Sequence, residues 1–479
     1  MPNDATIIFF NARTYHPMMT ATNPIKRGLL LALFVLTVQS ADAVPLFARQ
    51  TGQNCLACHA GGQYPELSPY GRYFKLTGYT LGTRQPIPVA FSLVAGQAGI
   101  KNNKSDDGTL VNQQNHRFEF DNASVYLGGK ILDNVGLFGQ WTYQSAAQPK
   151  NVLSGATIAD QGHFGADNID LRYADHYVGD DTRPVKDLIW GVSLNNNPTV
   201  TDVWNTVPAW GYPYMGPVQN RGNTQGPQYV TRLEGFGGGS ATGLGGYAFL
   251  NKNFYAELMG YRTSKGVTSW LSYGTKDTDP NNPRLYLKGT NPYLRLAYQS
   301  DEHGAHNWMT GAFAMNTAQY GYTQLDFSGA PTWGAANLGG GTTRYQDRGV
   351  DAQYQYLTNS HAVTAQARYI REEITDGTAT YSNARNNLQS FFAKTSYVYS
   401  AKYGASLGYQ SVHGSSDANV YIGSPDTIAW TPSIYWQALQ NIRLTLQYIA
   451  YTQYLGGGTI GTRSASDNNN TWLYLWMAM

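Results

Sequence analysis

Cys55 and Cys58 stand three residues apart, His59 follows the second directly, and these are the only cysteines among 479 residues. In the run Cys55-Leu56-Ala57-Cys58-His59 two thiols are spaced to add to the vinyl groups of one porphyrin, while the imidazole reaches its iron from below. The pattern predicts one covalently attached haem c, anchored by Cys55 and Cys58 and ligated by His59. A thioredoxin-like redox pair would sit in an α/β context that the chain lacks, and a zinc site would need a second pair of ligands.

The haem needs an oxidising compartment and a housing. Lys26-Arg27, the apolar run Gly28 to Val38 and Ala41-Asp42-Ala43 form the three parts of an export signal, with cleavage expected after Ala43. A start at Met18 or Met19 would give a signal of ordinary length. The apolar run is too short for a transmembrane helix, and no later stretch reaches about 20 apolar residues. With both thiols on haem, no disulfide is possible. The sequence divides into a signal peptide at 1–43, a plug-like monohaem cytochrome c segment at 44–87 and a barrel at 88–479.

Within the haem segment, Pro65 and Glu66 open a predicted helix, Leu67, Tyr70 and Phe74 share its haem-facing side, and Gly78 closes it. Arg72 and Lys75 are candidates for the haem propionates, although basic residues on a short helix are more often solvated. About 40 residues are too few to wrap a haem alone. No methionine lies between Val44 and Pro86, and His59 is the only histidine there. The sixth iron position therefore falls to the downstream chain, to water or to a small ligand, with His176 and Met215 as candidates.

From Val89 onward the chain repeats segments of about ten residues that alternate in polarity and carry aromatic residues near their ends. Ala352, Tyr354 and Tyr356 oppose Asp351, Gln353 and Gln355; Leu444, Leu446 and Tyr448 oppose Arg443, Thr445 and Gln447. One face is expected to meet lipid and the other a watery lumen. Sixteen strands are expected near 89–100, 116–132, 135–144, 167–178, 184–194, 229–250, 253–263, 291–300, 306–318, 345–357, 361–373, 388–399, 403–413, 428–439, 442–454 and 470–479. On the fourth, Ile169, Leu171 and Tyr173 would face lipid, turning Asp170, Arg172 and His176 inward. Short connections such as Asp133-Asn134, Asn251-Lys252 and Gln440-Asn441 alternate with long loops rich in Gly, Asn, Ser and Thr. That alternation predicts an all-β fold, a 16-stranded antiparallel outer-membrane barrel with both ends periplasmic and long loops extracellular. A soluble sandwich would not explain it. Only 13 % of residues are charged and the formal net charge is +2, without basic blocks, so nothing points to nucleic acid.

The two parts together resemble the fused outer-membrane cytochrome-porin family, the iron-oxidising monohaem cytochromes joined to a barrel. The resemblance rests on Phe47-Ala48-Arg49-Gln50-Thr51-Gly52 ahead of the haem motif, and on Pro65-Glu66-Leu67, Gly71-Arg72-Tyr73-Phe74-Lys75 and Gly78-Tyr79 behind it. Asn195 to Val200, Asp202-Val203-Trp204-Asn205 and Pro208-Ala209-Trp210-Gly211 of the third long loop add to it. The final Met479 departs from the aromatic residue that usually ends such barrels. The resemblance implies an electron-transferring oxidoreductase that oxidises extracellular Fe(II) and passes electrons through one haem to a periplasmic c-type cytochrome. The alternatives are a haem conduit for another donor and a porin with a structural haem plug. Glu372-Glu373 and Asp106-Asp107 offer oxygen ligands to Fe(II), although each pair reads first as a solvated feature.

Overall fold

The structure, a computed structural model, describes residues 46–62, 66–104, 115–144, 163–179, 182–206, 229–234, 236, 240–272, 285–325, 332–420, 424–457 and 463–479. The signal peptide, Met215, Trp210 and Asp106-Asp107 lie outside these residues.

The wall is built from β1 (Val89–Ile100), β2 (Phe118–Lys130), β3 (Val135–Gln144), β4 (His163–Val178), β5 (Asp187–Asn195), β6 (Ala241–Leu250), β7 (Phe254–Thr263), β8 (Asn291–His303), β9 (His306–Tyr320), β12 (Thr342–Leu357), β13 (His361–Thr375), β14 (Arg385–Tyr399), β15 (Tyr403–Gly414), β16 (Thr427–Leu439), β17 (Ile442–Gln453) and β18 (Asn470–Ala478). Each pairs antiparallel with its neighbour, and β1 closes on β18, giving a barrel of sixteen strands; β10 (Tyr322–Leu325) and β11 (Thr332–Ala336) form a separate hairpin in one loop. Closure satisfies every edge, the condition for a sheet to cross a bilayer. Leu444, Leu446 and Tyr448 point outward and are exposed, whereas Arg443, Thr445 and Gln447 point inward and are buried. This is an outer-membrane barrel of porin-like architecture.

The interior departs from the expected watery lumen. Arg172, Arg295 and Gln355 all face inward at 0 % exposure, because the N-terminal segment and the third loop fill the barrel. At the short-turn end lie α1 (Leu46–Thr51), α2 (Cys55–Cys58) and α3 (Pro69–Leu76). Above them, residues 196–206 fold inward, and Val203 and Trp204 pack with Leu76, Tyr247 and Tyr255. Nearer the loops, Leu233 and Phe236 join Tyr261, Tyr293, Phe313 and Ile370. The strand expected to begin at 229 begins at Ala241. Leu233, Glu234 and Phe236 supply lumen filling instead, with Glu234 held by Arg368 at 2.6 Å. Ile169 also departs from its expected lipid contact: it is fully buried beside Ala166 and Leu271, because the turn Gly266–Leu271 folds over that part of the wall.

Candidate functional site

The attachment motif forms its own short helix. Asn54 caps α2 by accepting from the Ala57 N–H at 3.2 Å, and the His59 N–H donates to the Cys55 carbonyl at 2.8 Å. The chain then reverses, so that His59 pairs with Leu67 as an isolated bridge and the Ala60 N–H reaches the Glu66 carbonyl at 2.9 Å. Helix α3 opens at Ser68-Pro69, a turn later than Pro65-Glu66 suggested, because the Ser68 hydroxyl accepts from the Gly71 N–H at 3.2 Å and Pro69 takes the first helical position. Leu67 therefore lies outside the helix. Gly71 is needed where α3 crosses α2: a Cβ there would lie 2.1 Å from the Cys58 carbonyl oxygen.

Between this plug and the wall lies a cavity with about 1360 Å³ of empty space, part of it open to solvent. Cys55, Cys58 and His59 all line it, together with Phe47, Phe74, Tyr79 and Phe138. Phe47 and Phe74 meet edge-on at 5.0 Å, and Phe47 stacks on Tyr79 at 5.5 Å, forming an aromatic side to the cavity. The opposite side comes from the turn end of the barrel seam: Ala90 and Ser92 of β1, Trp476 and Ala478 of β18, Gln440 and Arg443.

The donor chemistry suits haem c better than the rival readings. Both thiols are free. Burial pushes both upward, and with Cys55 beside it Cys58 reaches about 11. They are protonated thiols rather than the thiolates of an exchange-active pair. Burial pushes the His59 imidazole down to about 4, against the opposing pull of the Glu66 carboxylate and a backbone hydrogen bond at Glu66. A neutral imidazole is the form that ligates iron.

The other candidates are distributed differently. His176 does not line the cavity; its Nε2 lies 3.1 Å from Asp187 and its Nδ1 3.5 Å from the Tyr73 hydroxyl, at the barrel mouth. Among the described lining residues His59 is the sole imidazole and there is no methionine. Arg72 turns away from the cavity, donating to Gln355 at 2.9 Å and Asp301 at 2.8 Å. Lys75 does line the cavity, and its ammonium donates to the Asp202 carbonyl at 2.7 Å. Arg443, missed in the sequence, is the other lining cation, held 5.5 Å from the Trp476 ring. The signal for it was present: it is the first inward residue after the short turn at Gln440-Asn441. Glu372 and Glu373 cannot chelate one ion, because strand alternation buries Glu372 inside the barrel and turns Glu373 outward beside Arg371. Trp204, fully buried, donates to Gln299 at 3.0 Å and packs against Tyr255. It is a packing residue of the filled lumen.

A polar annex adjoins the cavity through Arg443, lined by Glu66, Lys394, Ser406, Ser433, Thr445 and Gln447. Thr445 Oγ1 and Gln447 Nε2 are buried there without a hydrogen-bond partner among the described residues, which suits ordered water.

No protein-family model matches the chain, and no curated protein matches it. Among solved structures it is similar to OmpF of Salmonella typhi in complex with daunomycin (12 % identity, 82 % of this chain and 97 % of that one, TM-score 0.45). It is also similar to a loop-L8 deletion mutant of OmpT from Vibrio cholerae (10 %, 82 % and 98 %, 0.43) and to the channel DcaP of Acinetobacter baumannii (9 %, 82 % and 96 %, 0.44). At these scores the likeness adds nothing to the closure already given by strand pairing.

Proposed function

We propose that this chain is an outer-membrane c-type cytochrome-porin that takes electrons from extracellular Fe(II) and delivers them to a periplasmic c-type cytochrome. The observation that carries the reading is the cavity at the short-turn mouth onto which Cys55, Cys58 and His59 all open. Haem c bound there would supply a one-electron couple. Cys55 and Cys58 would hold it covalently, neutral His59 would ligate it, and Arg443 with Lys75 would offer positive charge to its propionates. The placement favours a periplasmic protein acceptor, since the cavity lies at the end of the barrel bearing the short turns. Fe(II) as donor rests on the resemblance of the N-terminal block, and a different extracellular donor is the second reading. The packed lumen weighs against a passive porin carrying a structural haem.

The test uses the full mature chain in liposomes with all long loops outward. Covalent haem staining should survive denaturing electrophoresis and vanish in Cys55→Ala/Cys58→Ala; persistent stain in that variant overturns the attachment. Fe(II) added outside should reduce the haem, and cytochrome c enclosed inside should re-oxidise it. If Fe(II) fails at acidic and neutral pH while an organic donor succeeds, the donor assignment falls and the conduit remains.

A further inference from the structure

Arg348 of β12 and Arg371 of β13 are direct cross-strand partners, and both point outward from the barrel. Like charges placed opposite one another destabilise a sheet. Their only nearby counter-charge among the described residues is Glu373, 3.6 Å from Arg371 in a pair more than half exposed on the arginine side, the kind of contact worth little. Arg348 makes no ion pair or side-chain hydrogen bond among the described residues.

The level of this pair in the wall is informative. Below it on the same strands the outward residues are Val350, Ala352, Tyr354 and Tyr356, and Tyr369, Ala367, Ala365 and Val363, an apolar band ending in an aromatic row with Trp308. From Tyr356 to Arg348 a strand climbs about 27 Å. At the usual tilt that is about 20 Å along the axis, most of the apolar band of about 25 Å. Above the pair the outward residues turn polar, Gln346 and Arg344 on β12 and Glu373 and Thr375 on β13, so the arginines stand at the upper edge of the apolar band, where the headgroups of the loop-side leaflet begin.

Directly beneath them runs a groove with about 860 Å³ of empty space, open to the lipid side. Leu294 and Leu296 form one bank, Val350 and Tyr369 the other, and Ala312 and Ala314 leave the trough between them. Arg348 and Arg371 line its upper end.

We propose that this surface binds a phosphorylated lipid of the outer leaflet, with an acyl chain along the Ala312–Ala314 trough and a phosphate bridging Arg348 and Arg371. A phosphate answers the opposed guanidiniums, since its oxygens accept from both forks at once. The trough supplies the apolar contact that a free anion could not use.

Native mass spectrometry of the detergent-solubilised full chain with added lipid A tests this. The wild type should retain lipid A, and Arg348→Gln/Arg371→Gln should bind it at least tenfold more weakly, as should the wild type given dephosphorylated lipid A. Ala314→Trp, which keeps both arginines and blocks the trough, should show a similar loss. Heat-modifiable electrophoretic mobility confirms that each barrel is folded; if the double arginine variant fails to fold, Ala314→Trp and the dephosphorylated lipid decide. Lipid A retention within twofold in the folded variants overturns the site. Full competition by millimolar inorganic phosphate also overturns it, since the arginines would then form only an anion site.

Discussion

Arg72 of the plug and Asp301 of the barrel wall meet at 2.8 Å, and the same guanidinium donates to Asn307 at 3.2 Å and Gln355 at 2.9 Å. The contact ties a helix that carries no membrane-spanning strand to the turn end of β8, β9 and β12. Losing one partner of a buried pair costs about 3–5 kcal/mol, and the lower end applies because Asp301 is 27 % exposed. In planar bilayers the wild type should be nearly insulating, and Arg72→Met should show flickering ion conductance as the plug loosens. An equally insulating variant would mean that the remaining contacts hold the plug unaided.

A second tie joins Glu66, beside the His59 bridge, to Lys394 on β14. Burial would raise the Glu66 carboxyl, and Lys394 more than reverses that, holding it below its usual range with help from Arg443. Glu66→Leu should therefore destabilise more than Lys394→Met, since it strands two cations while Lys394→Met leaves Arg443. Each single change should cost about 3–5 kcal/mol and the double replacement by apolar residues far less. Thermal loss of heat-modifiable mobility across the double-mutant cycle measures this, and strictly additive losses would refute the coupling.

The barrel was legible because alternation is local: Ile442 to Tyr448 declares its lipid face within seven residues, and Gln440-Asn441 marks its turn. Fifteen of the sixteen strands begin within a few residues of where that rhythm places them, and the sixth begins twelve residues late, at Ala241. The Cys55-to-His59 run, being contiguous, is also readable as a pattern without knowledge of the fold. The filled lumen is not. Inward-facing Asp351, Gln353 and Gln355 read as water-facing, because polar residues satisfied by a distant plug have the same composition as polar residues satisfied by solvent. Arg72 illustrates the limit: its partners Asp301, Asn307 and Gln355 lie more than two hundred residues away. The asparagine run Asn195 to Asn197, fully or nearly buried where the chain leaves β5, is the local hint that this loop enters the barrel.

Gly71 offers a direct test of how α3 is seated on the haem motif. A methyl group there would meet the Cys58 carbonyl at 2.1 Å, and backbone cannot give way as a flexible side chain can. On the proposed haem attachment, Gly71→Ala should push the helix off α2 and lower covalent haem per protein several-fold while leaving the barrel folded, the clash being confined to the Cys58 backbone. Haem stain normalised to protein, read beside heat-modifiable mobility, gives the result. Full haem loading in a folded Gly71→Ala barrel would mean that α3 is not seated as described.

At the opposite end Asp417 staples two extracellular connections together. Its carboxylate accepts from the Ser382 and Asn383 N–H groups at 3.0 and 2.9 Å and from the Asn386 amide at 3.1 Å, so the β15–β16 loop holds the β13–β14 loop. Burial acts to raise its pKa, but these hydrogen bonds prevail and bring it to about 2. A depressed folded-state value means the carboxylate stabilises the loops fully above the ordinary carboxyl range and loses that contribution as pH falls from about 4 towards 2. Hydrogen exchange at Ser382 and Asn383, corrected for intrinsic rates, should accelerate over that window in the wild type. In Asp417→Ala it should already be at least tenfold faster at neutral pH, the scale of losing charge-assisted hydrogen bonds, and show no further rise on acidification. Identical profiles for the two proteins would show that the loops are held by something other than this carboxylate.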